Sequence, residues 1–381
     1  MKTLQLHLSG PGVPAGAFDT LQSMAPDLVL CFGAPAFFDG PGLHAALRAA
    51  APNAALAGCS GAGEIARAQV HEDSLAVTAV KFDDARARGA CTPLCGMADS
   101  FAAGARLGAA LPAGGLRHVL VFGTGVHING SALVEGLQST LPAAAEVSGG
   151  LAGDNGAFVE TFTLGDGGSA SDQLVAVGLY GEALTVANSS LGGWVPFGPA
   201  RRVTRCEHNV LYELDGERAL NVYKRYLGDY ARGLPASGLL FPFELLRDHQ
   251  RSSGIIRTIL GVDDAAGSLT LAGDVPEGGY LKLMHSSTER LIDAAEQAAL
   301  KLQPLSRRHA GPALALLVSC VGRKLVMGDR VDEEVEAVAS VLGADAVVTG
   351  FYSYGEISAS EFVGDCSLHN QTMTITWLTE A

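Results

Sequence analysis

Hydrophobic and polar positions follow a pattern that occurs three times along the chain. Each copy has an apolar run, a loop, a segment with apolar residues at helical spacing, and a second apolar run that ends in a glycine-rich turn. The first copy opens at 28–32, and its helical segment places Leu43, Ala46, Leu47 and Ala50 on one face. This order predicts a strand–helix–strand unit followed by a turn.

The other two copies keep the same order with different residues. The second opens at 118–122 and has Leu133, Leu137 and Leu141 at helical spacing. The third opens at 314–319, and we expect a loop at 320–328 before its helix. The repetition predicts an α/β fold: repeated strand–helix–strand units with glycine-rich turns in two halves, and mixed sheets with helices packed on them.

The glycine-rich turns resemble one another. Residues 58–65 read Gly-Cys-Ser-Gly-Ala-Gly-Glu-Ile and residues 350–357 read Gly-Phe-Tyr-Ser-Tyr-Gly-Glu-Ile, while the second turn has Gly153-Asp154 at the corresponding place. Each turn follows the second strand of its unit. Because parallel strands end at one edge of a sheet, and open parallel sheets bind ligands there, we expect the turns to line a ligand cleft.

Composition excludes several classes of protein. Hydrophobic residues make up 48% of the 381 residues and charged residues 17%, so the chain is expected to fold. No apolar run approaches the roughly 20 residues of a membrane helix. A net charge of −14, without a basic stripe, argues against nucleic acid as a partner. Seven scattered cysteines suggest reduced thiols and no metal site. Ser9, Gly10 and Pro11 interrupt the N-terminal segment too early for a secretory signal, so we predict a cytoplasmic protein that does not engage a membrane.

Several segments are similar to the FIST family. They are the three glycine-rich turns, the stretch 318–323 (Val-Ser-Cys-Val-Gly-Arg) and the stretch 269–278, which contains Gly-Asp-Val-Pro-Glu-Gly. The resemblance implies a FIST N-type domain at 25–200 and a FIST C-type domain at 201–381. Gly192, Gly193 and Pro196 mark the expected junction.

The resemblance also implies a function. FIST proteins are regarded as intracellular sensory modules with small ligands such as amino acids, and some members are reported to bind haem and sense nitric oxide. Their signalling partners include histidine kinases and cyclic-di-GMP enzymes. We therefore expect a small-ligand sensor, not an enzyme, that acts on a separate output protein, with a haem-binding nitric oxide sensor as the alternative.

The turns and their surroundings supply the candidate ligand residues. Carboxylates and hydroxyls would accept or donate hydrogen bonds, Arg323 would meet a ligand carboxylate, and aromatic rings would form walls. That combination suits an amino-acid-like zwitterion. The candidates are Cys59, Ser60, Gly61, Glu64, Gly150, Asp154, Asn155, Trp194, Arg323, Tyr352, Ser353 and Glu356. Two alternatives stay open: the glycines make tight turns that the acids cap, and Trp194 is a core aromatic.

Two further site hypotheses come from single residues. Among ten histidines, His127 lies on the expected ligand edge and is the first choice as a haem ligand, with His208 and His285 as fallbacks. An enzyme would instead use Cys59 as a nucleophile on the first turn. That segment does not match Gly-x-Ser-x-Gly, and it lacks the Lys of a phosphate-binding loop, so neither catalytic nor phosphate-binding motif is present there.

Overall fold

The computed structural model describes residues 1–10, 12–309, 311–359 and 366–380. In these ranges the strands form three six-stranded sheets and one eight-stranded sheet. Helices pack on the sheets, so the predicted α/β class is confirmed. No helix of the described residues is both long and apolar enough to cross a membrane.

The first repeat begins at the N-terminus. Its strands are β1 (Lys2–Ser9), β2 (Leu28–Gly33), β3 (Ala55–Ser60), β4 (Glu64–Ala66), β5 (Gln69–His71) and β6 (Ser74–Lys81). Its helices are α1 (Asp19–Met24), α2 (Pro35–Phe38) and α3 (Gly42–Ala50). Helix α3 buries Leu43, Leu47 and Ala50, as its apolar spacing predicts.

The second repeat has the same order of elements. Its strands are β7 (Arg86–Pro93), β8 (Leu116–Gly123), β9 (Glu146–Leu151), β10 (Thr163–Gly165), β11 (Gly168–Ala170) and β12 (Gln173–Tyr180). Its helices are α4 (Ser100–Ala109) and α5 (Gly130–Gln138). The side chain of Asn129 caps α5 by accepting a hydrogen bond from Ala132 N at 3.1 Å.

The third repeat begins with β13 (Leu184–Leu191) and is then interrupted by an insert. The insert forms the eight-stranded sheet from β14 (Val195–Glu207), β15 (Val210–Leu214), β16 (Glu217–Arg218), β17 (Phe243–Leu246), β18 (Ser252–Arg257), β19 (Ile259–Asp263), β20 (Ser268–Leu271) and β21 (Tyr280–His285), with helix α6 (Ala219–Leu227). The repeat resumes with α7 (Thr288–Ser306), β22 (Ala313–Cys320), α8 (Val321–Met327), α9 (Asp332–Leu342), β23 (Ala346–Ser353), β24 (Gly355–Ala359), β25 (Cys366–His369) and β26 (Met373–Glu380).

Each repeat contains a parallel pair joined by a helix, as predicted. These pairs are β2 with β3, β8 with β9, and β22 with β23. Strands β2, β3 and β22 are buried along their whole length, which explains why their sequences are continuous apolar runs. One sequence expectation is wrong: residues 321–327, assigned to a loop, form helix α8.

The repeats exchange hairpins in a closed cycle. Hairpin β4–β5 of the first repeat joins the third sheet through β23, β10–β11 of the second joins the first sheet through β3, and β24–β25 of the third joins the second sheet through β9. Each six-stranded sheet therefore contains strands from two repeats. The arrangement has pseudo-threefold symmetry.

Aromatic side chains fill the centre between the three sheets. The ring centroids of Phe32 and Phe351 are 4.8 Å apart, and that of Phe122 lies 5.6 Å from Phe32 and 6.1 Å from Phe351. All three side chains are fully buried. The two-domain division at residue 200 stays a prediction; the sheets themselves group the chain as three repeats and an insert.

Candidate functional site

Glycines of the three turns lie where parallel strands approach closely. Gly58, Gly149 and Gly350 each face a carbonyl oxygen of the neighbouring parallel strand. A Cβ atom at Gly149 would lie 1.9 Å from the oxygen of Val121, and at the other two positions the distance would be 1.8 Å. A side chain does not fit there, so these glycines serve strand packing, not ligand access.

Backbone hydrogen bonds join the three turns to one another. Each turn donates one bond to the next, and the three close a ring: Ala62 N to Tyr352 O at 2.8 Å, Gly153 N to Ser60 O at 2.9 Å, and Tyr354 N to Leu151 O at 3.2 Å. Protein groups therefore occupy the place of the predicted shared cleft. The expectation of one cleft lined by all three turns is wrong.

The carboxyl groups on the first and third turns are buried. Glu64 and Glu356 are 1% and 0% exposed. Glu64 accepts a hydrogen bond from Ser74 Oγ at 2.7 Å, and Glu356 accepts bonds from Ser353 Oγ at 2.7 Å and Thr372 N at 3.0 Å. Burial raises the pKa of both carboxyls to about 7. The expectation that these acids and Ser353 face a ligand is therefore wrong.

Arg323 lies on α8 and is fully buried. Its Nη2 lies 2.6 Å from Glu334 Oε2, and it also donates to the carbonyl oxygens of Gly192 and Leu291. Tyr352 is also fully buried and donates its hydroxyl to Glu334 Oε1 at 2.5 Å. The expectation that Arg323 meets a ligand carboxylate is not supported, because α9 brings Glu334 to it. The same carboxylate binds the hydroxyl of Tyr352.

Cys59 and Ser60 do not provide an accessible nucleophile. Cys59 is fully buried, and burial raises the pKa of its thiol well above the usual value. Ser60 is equally buried; its Oγ donates to Gly153 O at 2.7 Å and accepts from Phe162 N at 3.0 Å. A nucleophile must be reachable and readily deprotonated. The geometry therefore does not support the Cys59 hypothesis.

Three other candidate ligand residues contact other groups of the protein. Gly61 N donates to Gly33 O at 2.9 Å within the first repeat. A Cβ atom at Gly150 would lie 2.7 Å from Val318 Cγ1 and 2.9 Å from the carbonyl oxygen of Gly355, so a side chain does not fit there. Trp194 is half-buried where the insert begins, and its Nε1 donates to Gln371 O at 2.8 Å.

Lys324 is the cation that reaches the turns. Its Nζ donates to Ala62 O at 2.7 Å and to the exposed Asn155 Oδ1 at 3.2 Å. Its neighbour Arg323 was the expected contact for a ligand carboxylate. Residues 321–327 form a helix, in which successive side chains point about 100° apart. Arg323 and Lys324 therefore face different directions.

A cavity of about 260 Å³ lies at the carboxyl end of β8, between the second repeat and the insert; we call it the β8 cavity. The loop 123–129, expected at the ligand edge, supplies His127 and Asn129, and the insert supplies Asn209 and Thr270. Further walls are apolar or aromatic: Val126, Ile128, Leu151, Phe158, Leu260, Leu271, Tyr354 and Leu368. No Lys, Arg, Asp or Glu is among its described lining residues.

The segment 154–160 forms one wall of the β8 cavity through Phe158. The Asp154 carboxylate accepts bonds from the three N–H groups of 158–160 at 2.7–3.0 Å, and Tyr354 Oη accepts from Gly156 N at 2.9 Å and donates to Asp154. The rings of Phe158 and Tyr354 stack at 4.2 Å. Asp154 therefore shapes the wall and does not present a free carboxylate.

A larger cavity of about 360 Å³ lies beside α1 and α3. Its polar side chains are Asp19, Gln22 and Asp39, and most of its surface comes from Ala, Gly and Pro. Converging polar groups are what orient a bound ligand. The β8 cavity, with four such groups from two parts of the fold, is therefore the stronger candidate.

Haem does not fit the β8 cavity as it stands. His127 lines the cavity, but its volume of about 260 Å³ is below the roughly 300–1,000 Å³ of pockets that hold drug-sized ligands. A porphyrin needs more space than such a ligand. His208 is exposed on a turn, and the exposed His285 packs edge-to-face on Phe197 at 5.4 Å. Within the described residues, no three His, Cys, Asp or Glu side chains form a metal-binding group.

Comparison with known proteins agrees with the sequence motifs. The FIST N domain model matches residues 27–217, and the FIST C domain model matches 219–359. An uncharacterized protein of Methanocaldococcus jannaschii is 26% identical over 256 residues, which cover 60% of this chain and 48% of that protein. The chain thus spans about half the length of this curated relative. Because the two models together match most of the sequence, the chain belongs to the FIST family of sensory domains, which are associated with signal transduction and small-ligand binding.

Proposed function

We propose that the chain is a cytoplasmic sensor that binds a small amino-acid-like molecule in the β8 cavity and reports its presence to a signalling partner. The observation that carries this proposal is the position of the cavity. It lies at the carboxyl end of a parallel strand pair, where α/β folds bind ligands, and polar groups from two parts of the fold converge on it.

Size and polarity favour an amino-acid-like ligand. A volume of about 260 Å³ lies below the usual range for drug-sized molecules. Asn129, Asn209 and Thr270 offer neutral donors and acceptors, while aliphatic and aromatic side chains cover the remaining surface. The N-terminal end of α5 begins at Gly130, which also lines the cavity, and helix N-termini favour negatively charged groups.

The cavity is also placed to convert binding into a signal. One side belongs to the second and third repeats and the other to the insert, and Asn129 Nδ2 donates to the Asp274 carboxylate at 3.2 Å and 3.4 Å across that boundary. A ligand that contacts both sides favours the arrangement in which they are close. A partner such as a histidine kinase or a cyclic-di-GMP enzyme would respond to that change.

A thermal-shift screen of the twenty common amino acids, followed by calorimetric titration, tests the proposal. A ligand that binds only the folded state at 100 times its Kd stabilises it by about 2.7 kcal/mol. We expect Asn209→Ala and His127→Ala to weaken binding about tenfold or more, which is about 1.4 kcal/mol. His285→Ala is the matched control, because His285 is exposed and does not line this cavity.

Two results would contradict the proposal. One is binding that Asn209→Ala, His127→Ala and His285→Ala all leave unchanged, which would place the ligand elsewhere. The other is a Soret band in the absorption spectrum of the purified protein that is lost in a histidine variant, which would favour the haem sensor.

A further inference from the structure

Arg257 is a buried cation without an ion-pair partner among the described residues. It ends strand β18 and is 6% exposed. Its Nε donates to Asp274 O at 3.1 Å, and its Nη1 donates to the carbonyl oxygens of Ile256 and Leu368 at 3.1 Å and 3.2 Å. Nη2 donates no hydrogen bond to the described residues and keeps some contact with solvent. Buried arginines are almost always paired, so this one is unusual.

The guanidinium of Arg257 lies directly behind a wall of the β8 cavity. Leu368, whose carbonyl it binds, and Gly273 both line the cavity. A Cβ atom at Gly273 would lie 2.8 Å from Arg257 Nε, so glycine at this position lets the cation approach the wall. Burial lowers the pKa of Arg257 to about 10, which leaves the side chain charged at neutral pH.

An acid lies behind a second wall of the same cavity. The carboxylate of Asp274 contacts Asn129 Nδ2, and Asn129 lines the cavity. Asp274 follows Gly273 in the stretch Gly273-Asp274-Val275-Pro276-Glu277-Gly278, one of the segments that resemble the FIST family. This stretch supplies Asp274 and, through the carbonyl of Asp274, holds Arg257, so a negative and a positive group lie behind one cavity that has no Lys, Arg, Asp or Glu among its described lining residues.

We propose that Arg257 and Asp274 select a zwitterion, with Arg257 attracting the ligand's carboxylate and Asp274 its ammonium group. This inference rests on the proposed function and names the charge recognition within the same cavity. The charge of Arg257 is buried and weakly screened, so it attracts an opposite charge across a thin wall. Asp274 is only partly buried, and its charge acts through Asn129, whose amide hydrogen bond it accepts at the cavity wall.

Three probe sets test the inference on the full chain. L-Alanine, L-valine and L-phenylalanine are each compared with the corresponding deaminated acid and decarboxylated amine, by titration calorimetry. Wild type is expected to bind one or more of the amino acids at least tenfold more tightly than the matching acid or amine. Arg257→Gln should weaken the amino acid and the acid at least tenfold but leave the amine unchanged.

Asp274→Asn gives the complementary result. It keeps an acceptor for Asn129, removes the charge, and should weaken the amino acid and the amine at least tenfold while leaving the acid unchanged. Arg257→Lys keeps the positive charge but not the guanidinium group, and it should retain part of the affinity for the carboxylate. If Arg257→Gln folds poorly, Arg257→Lys provides the test. Arg330→Gln and Asp264→Asn, which change exposed charges, are the controls.

The outcomes separate the two proposals. Amino-acid binding that is lost in Asn209→Ala but unchanged in the Arg257 and Asp274 variants would overturn the inference and leave the proposed function standing. Selective binding of an amine without its carboxylate would also overturn the inference. Failure of wild type to bind any of the nine probes would overturn the inference, and failure to bind any of the twenty common amino acids would overturn both.

Discussion

Charged groups in the third repeat are buried together with their partners. Arg323, Glu334 and Tyr352 form a fully buried cluster, and each carboxylate oxygen of Glu334 accepts at least one hydrogen bond from the other two residues. Removing one member of such a cluster leaves the others unsatisfied in a medium that solvates charge poorly. Stability at these positions therefore depends on the cluster, whereas ligand affinity is expected to depend on the β8 cavity.

We expect Arg323→Ala to lower the free energy of unfolding by about 3–5 kcal/mol, because it leaves Glu334 buried without a counter-charge. Urea denaturation followed by circular dichroism measures this. Arg330→Ala, which removes an exposed arginine a few residues away, should change stability little. Equal stability of the two variants would mean that the buried pair contributes nothing.

Glu356 makes stability depend on pH. Its pKa is about 7 in the folded chain, above the ordinary value of 4.5, so folding favours the protonated form. Its contribution to stability is complete below pH 4.5 and is lost as the pH rises to 7, at up to about 1.4 kcal/mol per pH unit. We expect Glu356→Gln to gain stability relative to wild type between pH 5 and pH 7.

Urea denaturation at pH 5, 6, 7 and 8 measures the difference between wild type and Glu356→Gln. Asp99→Asn is the control: the hydrogen bonds from Arg106 lower the pKa of that half-buried carboxyl to about 2, so its contribution should not vary over this range. A difference for Glu356→Gln that is the same at all four pH values would show that Glu356 is ionised throughout.

Segment 154–160 is an element without regular secondary structure that two side chains hold in place. The carboxylate of Asp154 and the hydroxyl of Tyr354 accept most of its N–H groups. Asn155 and Phe158 have φ values of 57° and 55°, which cost free energy for residues other than glycine. The segment therefore keeps its shape through these contacts, and it forms a wall of the β8 cavity.

Tyr354→Phe should loosen this segment selectively. We expect faster amide hydrogen exchange at 156–160 and weaker ligand binding, with little change in the midpoint of thermal unfolding, because the ring still packs on Phe158. Tyr230→Phe, at an exposed tyrosine, is the control. Unchanged exchange at 156–160 in Tyr354→Phe would show that the hydroxyl does not hold the segment.

Local sequence patterns predicted the helices and strands better than they predicted contacts between residues distant in sequence. The apolar runs and helical spacing identified all three parallel pairs, because both are set by residues close in sequence. The partner of Arg323 was missed because 321–327 was interpreted as a loop and not as α8. His127 and the loop 123–129, expected at the ligand edge, line the β8 cavity, but its insert side was not predicted. Asn209 carries no local signal of a site, and the family resemblance of the stretch 269–278 does not indicate that Thr270 faces a cavity.

At the scale of the whole molecule, the exchanged hairpins make the three repeats depend on one another. Ile65 of the first repeat pairs with Gly350 of the third, a contact that no local pattern predicts. If any one repeat unfolds, its own sheet is lost, a second sheet loses its edge hairpin, and the aromatic centre loses a ring. We infer that the repeats unfold as one unit.

Gly350→Ala tests this cooperativity. A Cβ there would lie 1.8 Å from the carbonyl oxygen of Leu317, and such overpacking costs about 1–3 kcal/mol. Native-state hydrogen exchange should show the same loss of protection in β2 and β8 as in β22. Gly114→Ala, where a Cβ meets no atom within 4 Å, is the control. A loss confined to the third sheet would mean that the repeats open independently.

The hairpin exchange also means that, during synthesis on the ribosome, a finished hairpin must wait until its partner strand has been made. Hairpin β4–β5 is complete at His71, but its partner strand β23 begins at Ala346. At roughly 5–20 residues per second, the hairpin waits on the order of 15 to 60 s for its place in the third sheet. During that interval its backbone groups on one edge are unpaired, and another nascent chain could pair with them. Slower translation between the two segments should therefore increase the demand for chaperones, even though the finished protein has the same stability.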